Sequence, residues 1–421
     1  MIRRNNQWMR ATGVLVCLGV LLLAGCAPAA APTPAVPAST EGEEGQVGDT
    51  YRIGFLASVT GGAAFLGEPE RDAALMVQEQ IDAAGGIVGP DGVRHDIEII
   101  VYDTEGSGDV AIPLAKKLID DDKVVAIVGS TRSPVSLALV PIVQEAEILN
   151  ISMASSSEIV EPVSERHWVF KTPQSNKHTA PWQVRYVKAK GATQVASLYV
   201  NNAYGEDGRN AIRDAAEAED VEIVLEETFE ASDTDMTAVL TKVRASGAEA
   251  LLVTGLPPAA SILTKQFREL GLDMPLVHNH GIGMKPFIDL AGAENAEGVV
   301  FPMGKMVAAG ALDDGDPQKD MLLKFVEEYE AFSGNPASTF AGHSWDALQI
   351  TLKALEALPD GLSLEEQRVQ VRDAVESLSG FAGTGGVFSF SADDHVGLSA
   401  DAVVTVRIIN GEWEYFPPDQ W

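Results

Sequence analysis

The chain has 421 residues, with 30 Lys and Arg set against 61 Asp and Glu, a formal net charge of −31. Such acidity repels phosphate backbones and argues against nucleic acid as a partner, while it suits a solvated protein of an extracytoplasmic space. It does not fix the charge of a small ligand, because a pocket can differ in sign from the surface around it.

Arg3, Arg4 and Arg10 precede or open an apolar run that closes on Leu23-Ala24-Gly25-Cys26. A basic start, a short apolar core and small residues before a cut read as a secretory signal, too short for a membrane span. The cysteine after the cut matches the bacterial lipobox, in which the thiol is lipidated and becomes the new N-terminus. Residues 1–25 are therefore expected to be a signal peptide. Residues 26–50, rich in Ala, Pro, Gly and Glu, are expected to be a lipidated N-terminus and flexible linker. Cys17 falls in the signal and Cys26 carries lipid, so the mature chain keeps no thiol for a disulfide, a metal or nucleophilic attack. The chain beyond Tyr51 is long enough for two domains, and no second apolar run suits a bilayer.

From Tyr51, short β-branched runs alternate with amphipathic stretches. Residues 51–57 read as a strand and 68–84 as a helix, with Ala74, Val77 and Ile81 on one face and Gly85-Gly86 as the stop. Strand 97–103 then leads to helix 109–120, strand 124–128 to helix 133–146, and strand 149–152 closes the series. A second series follows strand 168–172: helix 178–190, strand 194–200, helix 205–219, strand 221–227, helix 236–246, strand 250–253, helix 258–270 and strand 276–278. Helices at 319–332, 340–358 and 364–378, with strands at 387–390 and 403–409, are expected to be shared between the two halves. The pattern specifies an α/β protein with two doubly wound parallel-sheet lobes.

Ligands in open α/β sheets bind outside the carboxyl ends of strands, which directs attention to the loops there. The stretch from Ser58 to Gly67, containing Phe65 and Leu66, is small and able to approach a ligand closely. In Gly129-Ser130-Thr131-Arg132-Ser133-Pro134, Ser133 stands at the N-cap and Pro134 at N1, so Arg132 and free N–H groups offer an anion site. Capping alone accounts for Ser133, but not for an arginine beside a helix start. In 153–158, Ser155 and Glu158 read as a capping box, which leaves Ser156 as the ligand-facing hydroxyl. Tyr204 gives an aromatic wall with a polar tip. His278 and His280 lack the Cys or third His that a metal site requires, so neither metal nor cofactor is expected.

Thr60-Gly61 with Gly67, the DAAGGI run at 82–87, Gly129 to Ser133, Tyr204-Gly205, the DTDM run at 233–236, Gly271-Leu272 and Ser344-Trp345-Asp346-Ala347 follow one another over nearly the whole mature chain. In that order the chain resembles the type I periplasmic solute-binding proteins of ABC importers, specifically the branched-chain amino acid receptor group. The resemblance implies three strands crossing between the lobes near Lys171, Phe301 and Ser391. It divides the chain into a first lobe of 51–171 plus 302–390 and a second of 172–301 plus 391–421. It also implies that Ser133 and Ser156 meet the ligand carboxylate, that the Ala154 carbonyl receives an ammonium, and that Tyr204 walls the second lobe. Two positions depart from the group: Leu256 stands where an aromatic is usual, and His280 where a glutamate pairs with the α-ammonium. With Arg132, those departures favour an organic acid over an amino acid as ligand.

The expected function is that of a monomeric, non-catalytic receptor. It is lipid-anchored at the membrane, traps a small carboxylate-bearing ligand, and passes it to a permease with its ATPase. A branched-chain or other neutral amino acid is the alternative ligand. A sensory module acting with a separate membrane receptor is the alternative role. A hydrolase would need Gly-x-Ser-x-Gly or a Ser, His and acid set, and the sequence offers neither.

Overall fold

The computed structural model describes residues 47–421. The expected signal peptide, Cys26 and nearly all of the linker lie outside the described residues.

The first lobe is built on β1 (Tyr51–Ala57), buried everywhere except Arg52. A turn at Gly61–Ala63 leads into α1 (Ala64–Ala84), which starts at Ala64 rather than at Glu68. The small residues that read as a loop permit this: a Cβ on Gly67 would collide with the Ser58 backbone, so only glycine lets the first turn of the helix lie against the strand end. β2 (Ile87–Val88) and β3 (Arg94–His95) form a small antiparallel flap, too short to leave a periodic signal. β4 (Ile97–Asp103), α2 (Gly108–Asp120), β5 (Ala126–Gly129), α3 (Ser133–Glu145), β6 (Leu149–Ser152) and β7 (Val169–Lys171) complete the lobe. Its sheet runs β4-β1-β5-β6-β7, all parallel. The strands β5, β6 and β7 are buried throughout, although β6 carries Asn150 and Ser152 and β7 ends on Lys171.

The second lobe follows with α4 (Asn176–Ala189), β8 (Gln194–Val200), α5 (Ala203–Ala218), β9 (Glu222–Phe229), α6 (Thr237–Ala245), β10 (Ala250–Thr254), α7 (Ala259–Glu269) and β11 (Leu276–His278). Two elements there, α8 (Lys285–Ala291) and α9 (Ala293–Ala296), have no counterpart in the reading from sequence, while β12 (Val300–Gly304) lies at the strand implied near Phe301. The helices are short, and Pro302 interrupts the strand pattern of β12.

The chain then returns to the first lobe with α10 (Lys319–Ser333), α11 (Thr339–Leu355) and α12 (Leu364–Glu376), followed by the hairpin of β13 (Ser379–Ala382) and β14 (Val387–Ser389). Leu348, Leu355, Val371 and Phe388 enter the core around Phe55 and Ile127, and α10 packs Phe325 and Tyr329 near Met76 of α1. Only β15 (Val403–Ile409) and β16 (Glu412–Tyr415) join the second sheet, ordered β16-β15-β12-β11-β10-β8-β9, with β15 antiparallel to β12. The backbone passes between the lobes beyond Lys171, beyond Gly304 and between Ser391 and Val403.

Candidate functional site

The carboxyl ends of β5, β6, β8, β10 and β11 face a cleft between the lobes, a usual place for a small-molecule site. Leu66, Arg132, Ser133, Ala154, Tyr204, Leu256 and His280 all line it. Ser156 and Phe65 do not. Phe65 lies in a neighbouring groove with Glu68, Pro69, Met284 and Lys285, turned about 100° around α1 from Leu66.

At the first-lobe wall, Arg132 rather than Ser133 is the N-cap of α3, so Ser133 and Pro134 lie inside the first turn. The Ser133 hydroxyl accepts a hydrogen bond from the Ser156 backbone N–H at 3.2 Å, which leaves its own proton to donate into the cleft. Ser156 therefore positions Ser133, and its own Oγ is buried without a partner. The expected capping box does not form: the helical turn Ser157–Ile159 has Ser156 at its N-cap, and no side chain caps it. Ser155 instead hydrogen-bonds across the cleft. Arg132 is half-buried, and its guanidinium donates to the Gly106 carbonyl at 3.1 Å. Behind this wall, Thr131 lines the cleft, accepts from the Ser58 N–H at 3.0 Å and donates to Glu70 at 2.5 Å. Burial pushes the Glu70 carboxyl well above its ordinary range, against the pull of the Thr131 bond.

The polar groups of the second-lobe wall are hydrogen-bonded, to one another and to Ser155 of the first lobe. Asn202 caps α5 by accepting from the N–H groups of Tyr204 and Gly205, which places Tyr204 in the first helical turn rather than before it. The Tyr204 hydroxyl accepts from Asn279 at 2.5 Å, and burial raises its pKa. A side chain at Gly281 would run into that hydroxyl and the Leu256 side chain, so glycine keeps this wall open. His280 has both ring nitrogens engaged, Nδ1 with Thr179 at 3.2 Å and Nε2 with Ser155 at 2.9 Å. Burial, then the nearby Lys171 charge, push its pKa down to about 3, so it stands neutral and does not replace a carboxylate.

Contacts between the walls hold the lobes together. The Ser157 N–H donates to Asp207 at 3.1 Å, its hydroxyl donates to the same oxygen, and Asn176 donates to the other at 2.7 Å. Lys177 and Glu161 form an exposed ion pair. At the hinge, the fully buried Lys171 ammonium donates to the Ser155 carbonyl at 2.6 Å and the Ser175 hydroxyl at 2.8 Å. Burial lowers its pKa to about 7, although Asp207 opposes the shift.

Gln174, Asn202, Met303, Thr339, Phe340 and His343 also line the cleft, and sequence reasoning missed them. Gln174 and Met303 sit at or beyond a strand and were open to the strand-end rule. Thr339, Phe340 and His343 begin α11, which follows a helix, so that rule is blind to them. Among the described residues the lining holds one permanent cation, two histidines and no carboxylate.

Known proteins agree with this architecture. The sequence profile of the family described as "Periplasmic binding protein" matches residues 50–411. A leucine-, isoleucine-, valine-, threonine- and alanine-binding protein of Pseudomonas aeruginosa is 24% identical over 311 residues, covering 73% of this chain and 78% of that protein. An extracellular ligand-binding receptor from Rhodopseudomonas palustris superposes with a TM-score of 0.79 at 26% identity, over 87% of this chain and 99% of its own. The branched-chain amino acid transporter substrate-binding protein LivJ of Streptococcus pneumoniae, in complex with isoleucine, gives a TM-score of 0.74 at 26% identity, over 87% and 98%. These relatives are binding proteins and receptors, not enzymes. The chain belongs to the periplasmic binding protein family, as a type I member of its branched-chain amino acid receptor group.

Proposed function

We propose that this chain is the solute receptor of an ABC importer, anchored through lipid on Cys26 and acting as a monomer. Its cleft closes on one neutral amino acid, which it hands to a membrane permease with its ATPase. The observation that carries the reading is the polar end of the cleft. There Arg132, the Ser133 hydroxyl and the first turn of α3 meet a carboxylate with charge, a hydrogen bond and the helix dipole together. Leu66, Leu256, Met303 and Tyr204 suit an aliphatic side chain. The Ala154 carbonyl offers an acceptor for the ammonium. The expected preference for an organic acid finds no support among the relatives, whose names fit the amino acid alternative better. One feature keeps the acid as a second reading: among the described residues no carboxylate lines the cleft to neutralise an ammonium.

A thermal-shift series pairing leucine, isoleucine, valine, threonine and alanine with their deaminated counterparts decides between the two. At about a thousandfold excess over Kd a ligand stabilises the native state by about 4 kcal/mol, a readily visible shift. Shifts confined to the amino acids are expected, and shifts confined to the deaminated acids would overturn the amino acid reading. For the anchor, Cys26→Ser should release the protein from membranes or leave its signal uncut. A variant still membrane-bound with the signal removed defeats that part.

A further inference from the structure

Each buried histidine in this protein but one has at least one ring nitrogen hydrogen-bonded, although His95 Nε2, His278 Nδ1 and His395 Nε2 are left without a partner. His95 meets the Asp49 carbonyl at 2.9 Å, His278 the Thr264 hydroxyl at 2.9 Å and His395 the Val169 carbonyl at 2.9 Å, while both nitrogens of His280 are engaged. His343 is 5% exposed, and among the described residues neither of its ring nitrogens has a hydrogen-bond partner. It stands on the cleft wall near the start of α11, where the Thr172 hydroxyl donates to its backbone carbonyl at 2.9 Å and ties that turn to the hinge. Phe340 meets the ring edge-on, with centroids 6.0 Å apart. The ring is thus held in place with its hydrogen-bonding capacity unused. Leaving a buried polar group unpaired costs its full desolvation, so a cleft residue in this condition is completed by what enters the cleft.

Burial, then the Lys171 charge, push the His343 pKa down to about 3, so the ring is neutral at working pH. A neutral imidazole offers one N–H and one lone pair, which serve an ammonium, a hydroxyl or an oxo group. We infer that His343 receives a second polar group of the ligand, so that the cleft selects carboxylates carrying an amino, hydroxy or oxo substituent over plain carboxylic acids. The inference rests on the carboxylate-binding reading above and adds a specificity-determining residue to it.

Calorimetric titration with leucine, 2-hydroxy-4-methylpentanoate, 2-oxo-4-methylpentanoate and 4-methylpentanoate tests it on one carbon skeleton. At least one substituted ligand should bind the unaltered protein more than about tenfold tighter than the plain acid, the factor equivalent to 1.4 kcal/mol. His343→Leu should erase that advantage, so that the substituted ligands bind no more than about twofold tighter than 4-methylpentanoate, and His343→Gln should retain part of it. A plain acid bound as tightly as the others, or an advantage that survives His343→Leu, overturns the inference and leaves the carboxylate reading standing. Binding of none of the four overturns both. Should His343→Leu not fold, nitrogen-edited NMR of the unaltered protein decides the matter. The His343 ring resonance, assigned with His343→Gln, must move on saturation with the tightest of the four, and a resonance that stays in place overturns the inference.

Discussion

The two walls of the cleft are made differently. On the first lobe, polar groups face the ligand with capacity unspent: the Ser133 proton, the Arg132 guanidinium, the open turn of α3 and the unpartnered His343. On the second lobe, polar groups are already bonded, to one another or, through His280 and Asp207, to Ser155 and Ser157 of the first lobe. Tyr204 is held by Asn279, which also donates to Asn176; Asn176 is bound to Asp207, and His280 is bound to Thr179. The contrast separates two tasks. A wall with unspent donors determines which ligand is held, whereas a wall already satisfied presents shape and closes over it. A ligand that touches both shifts the population toward the closed form by its differential affinity.

The strongest way to break this division is Arg132→Ala. A charge-assisted hydrogen bond is worth about 1.5–3 kcal/mol, so Kd for any carboxylate ligand should rise about 10- to 150-fold. Calorimetry with the ligand found in the thermal-shift series checks it. An unchanged Kd places the carboxylate elsewhere and dissolves the contrast between the walls.

Asp207→Ala attacks closure instead. Asp207 links Ser157 of the first lobe to Asn176 of the second and does not line the cleft, so its loss should weaken all ligands by a similar factor, about tenfold for about 1.4 kcal/mol. The ranking of ligands should survive, and small-angle scattering at saturation should show less compaction than for the unaltered protein. A change of ranking would show that the second lobe selects as well as closes.

Leu256→Ala probes shape alone. Removing part of an apolar wall forfeits burial worth about 0.8 kcal/mol per CH₂, so a ligand with a four-carbon branched side chain should lose several-fold in affinity and alanine almost nothing. Equal losses for leucine and alanine would remove Leu256 from the site.

These residues also mark what was legible in sequence. Parallel strands buried on both faces declare themselves as apolar runs, and the residues just beyond them, Arg132, Ser133, Ala154, Tyr204, Leu256 and His280, follow from the strand-end rule onto the cleft. Helix starts were less legible. Asn202 caps α5 one residue before it begins, and Ser175 caps α4 in a box closed by His178 rather than by the usual Glu or Gln. Orientation was not legible: nothing in the run Ser155-Ser156-Ser157 says that the first bridges to His280, the second steadies Ser133 and the third reaches Asp207. His343 was hidden because its importance lies in the absence of a partner, which only three-dimensional packing reveals.

The smallest expected effect separates the lobes by their response to acid. In the second lobe, burial holds His278 and His280 at about 3 against an ordinary 6.5. The unfolded chain binds their protons first, so the stability they contribute is complete above pH 6.5 and is lost as pH falls toward 3. The first lobe carries two such groups, His343 at about 3 and His395, which burial also lowers, and two buried acids of opposite sign. Burial raises Asp346 from 3.8 to about 7 despite its bonds from Thr384 and Gly385, and raises Glu70 also. For Asp346 the folded state keeps its proton longer, so its contribution is complete below pH 3.8 and fades as pH rises through about 7. Acidification from pH 6.5 to 4.5 should therefore loosen the second lobe while the first is partly compensated. Hydrogen exchange followed by mass spectrometry, corrected for the intrinsic pH dependence of exchange, should show protection falling more in α7 and β11 than in α1 and α11. Glu70→Gln, which removes a compensating acid without changing its volume, should narrow that gap. Equal loss in both lobes, or a gap indifferent to Glu70→Gln, would show that the buried charges behind the two walls do not tune them separately.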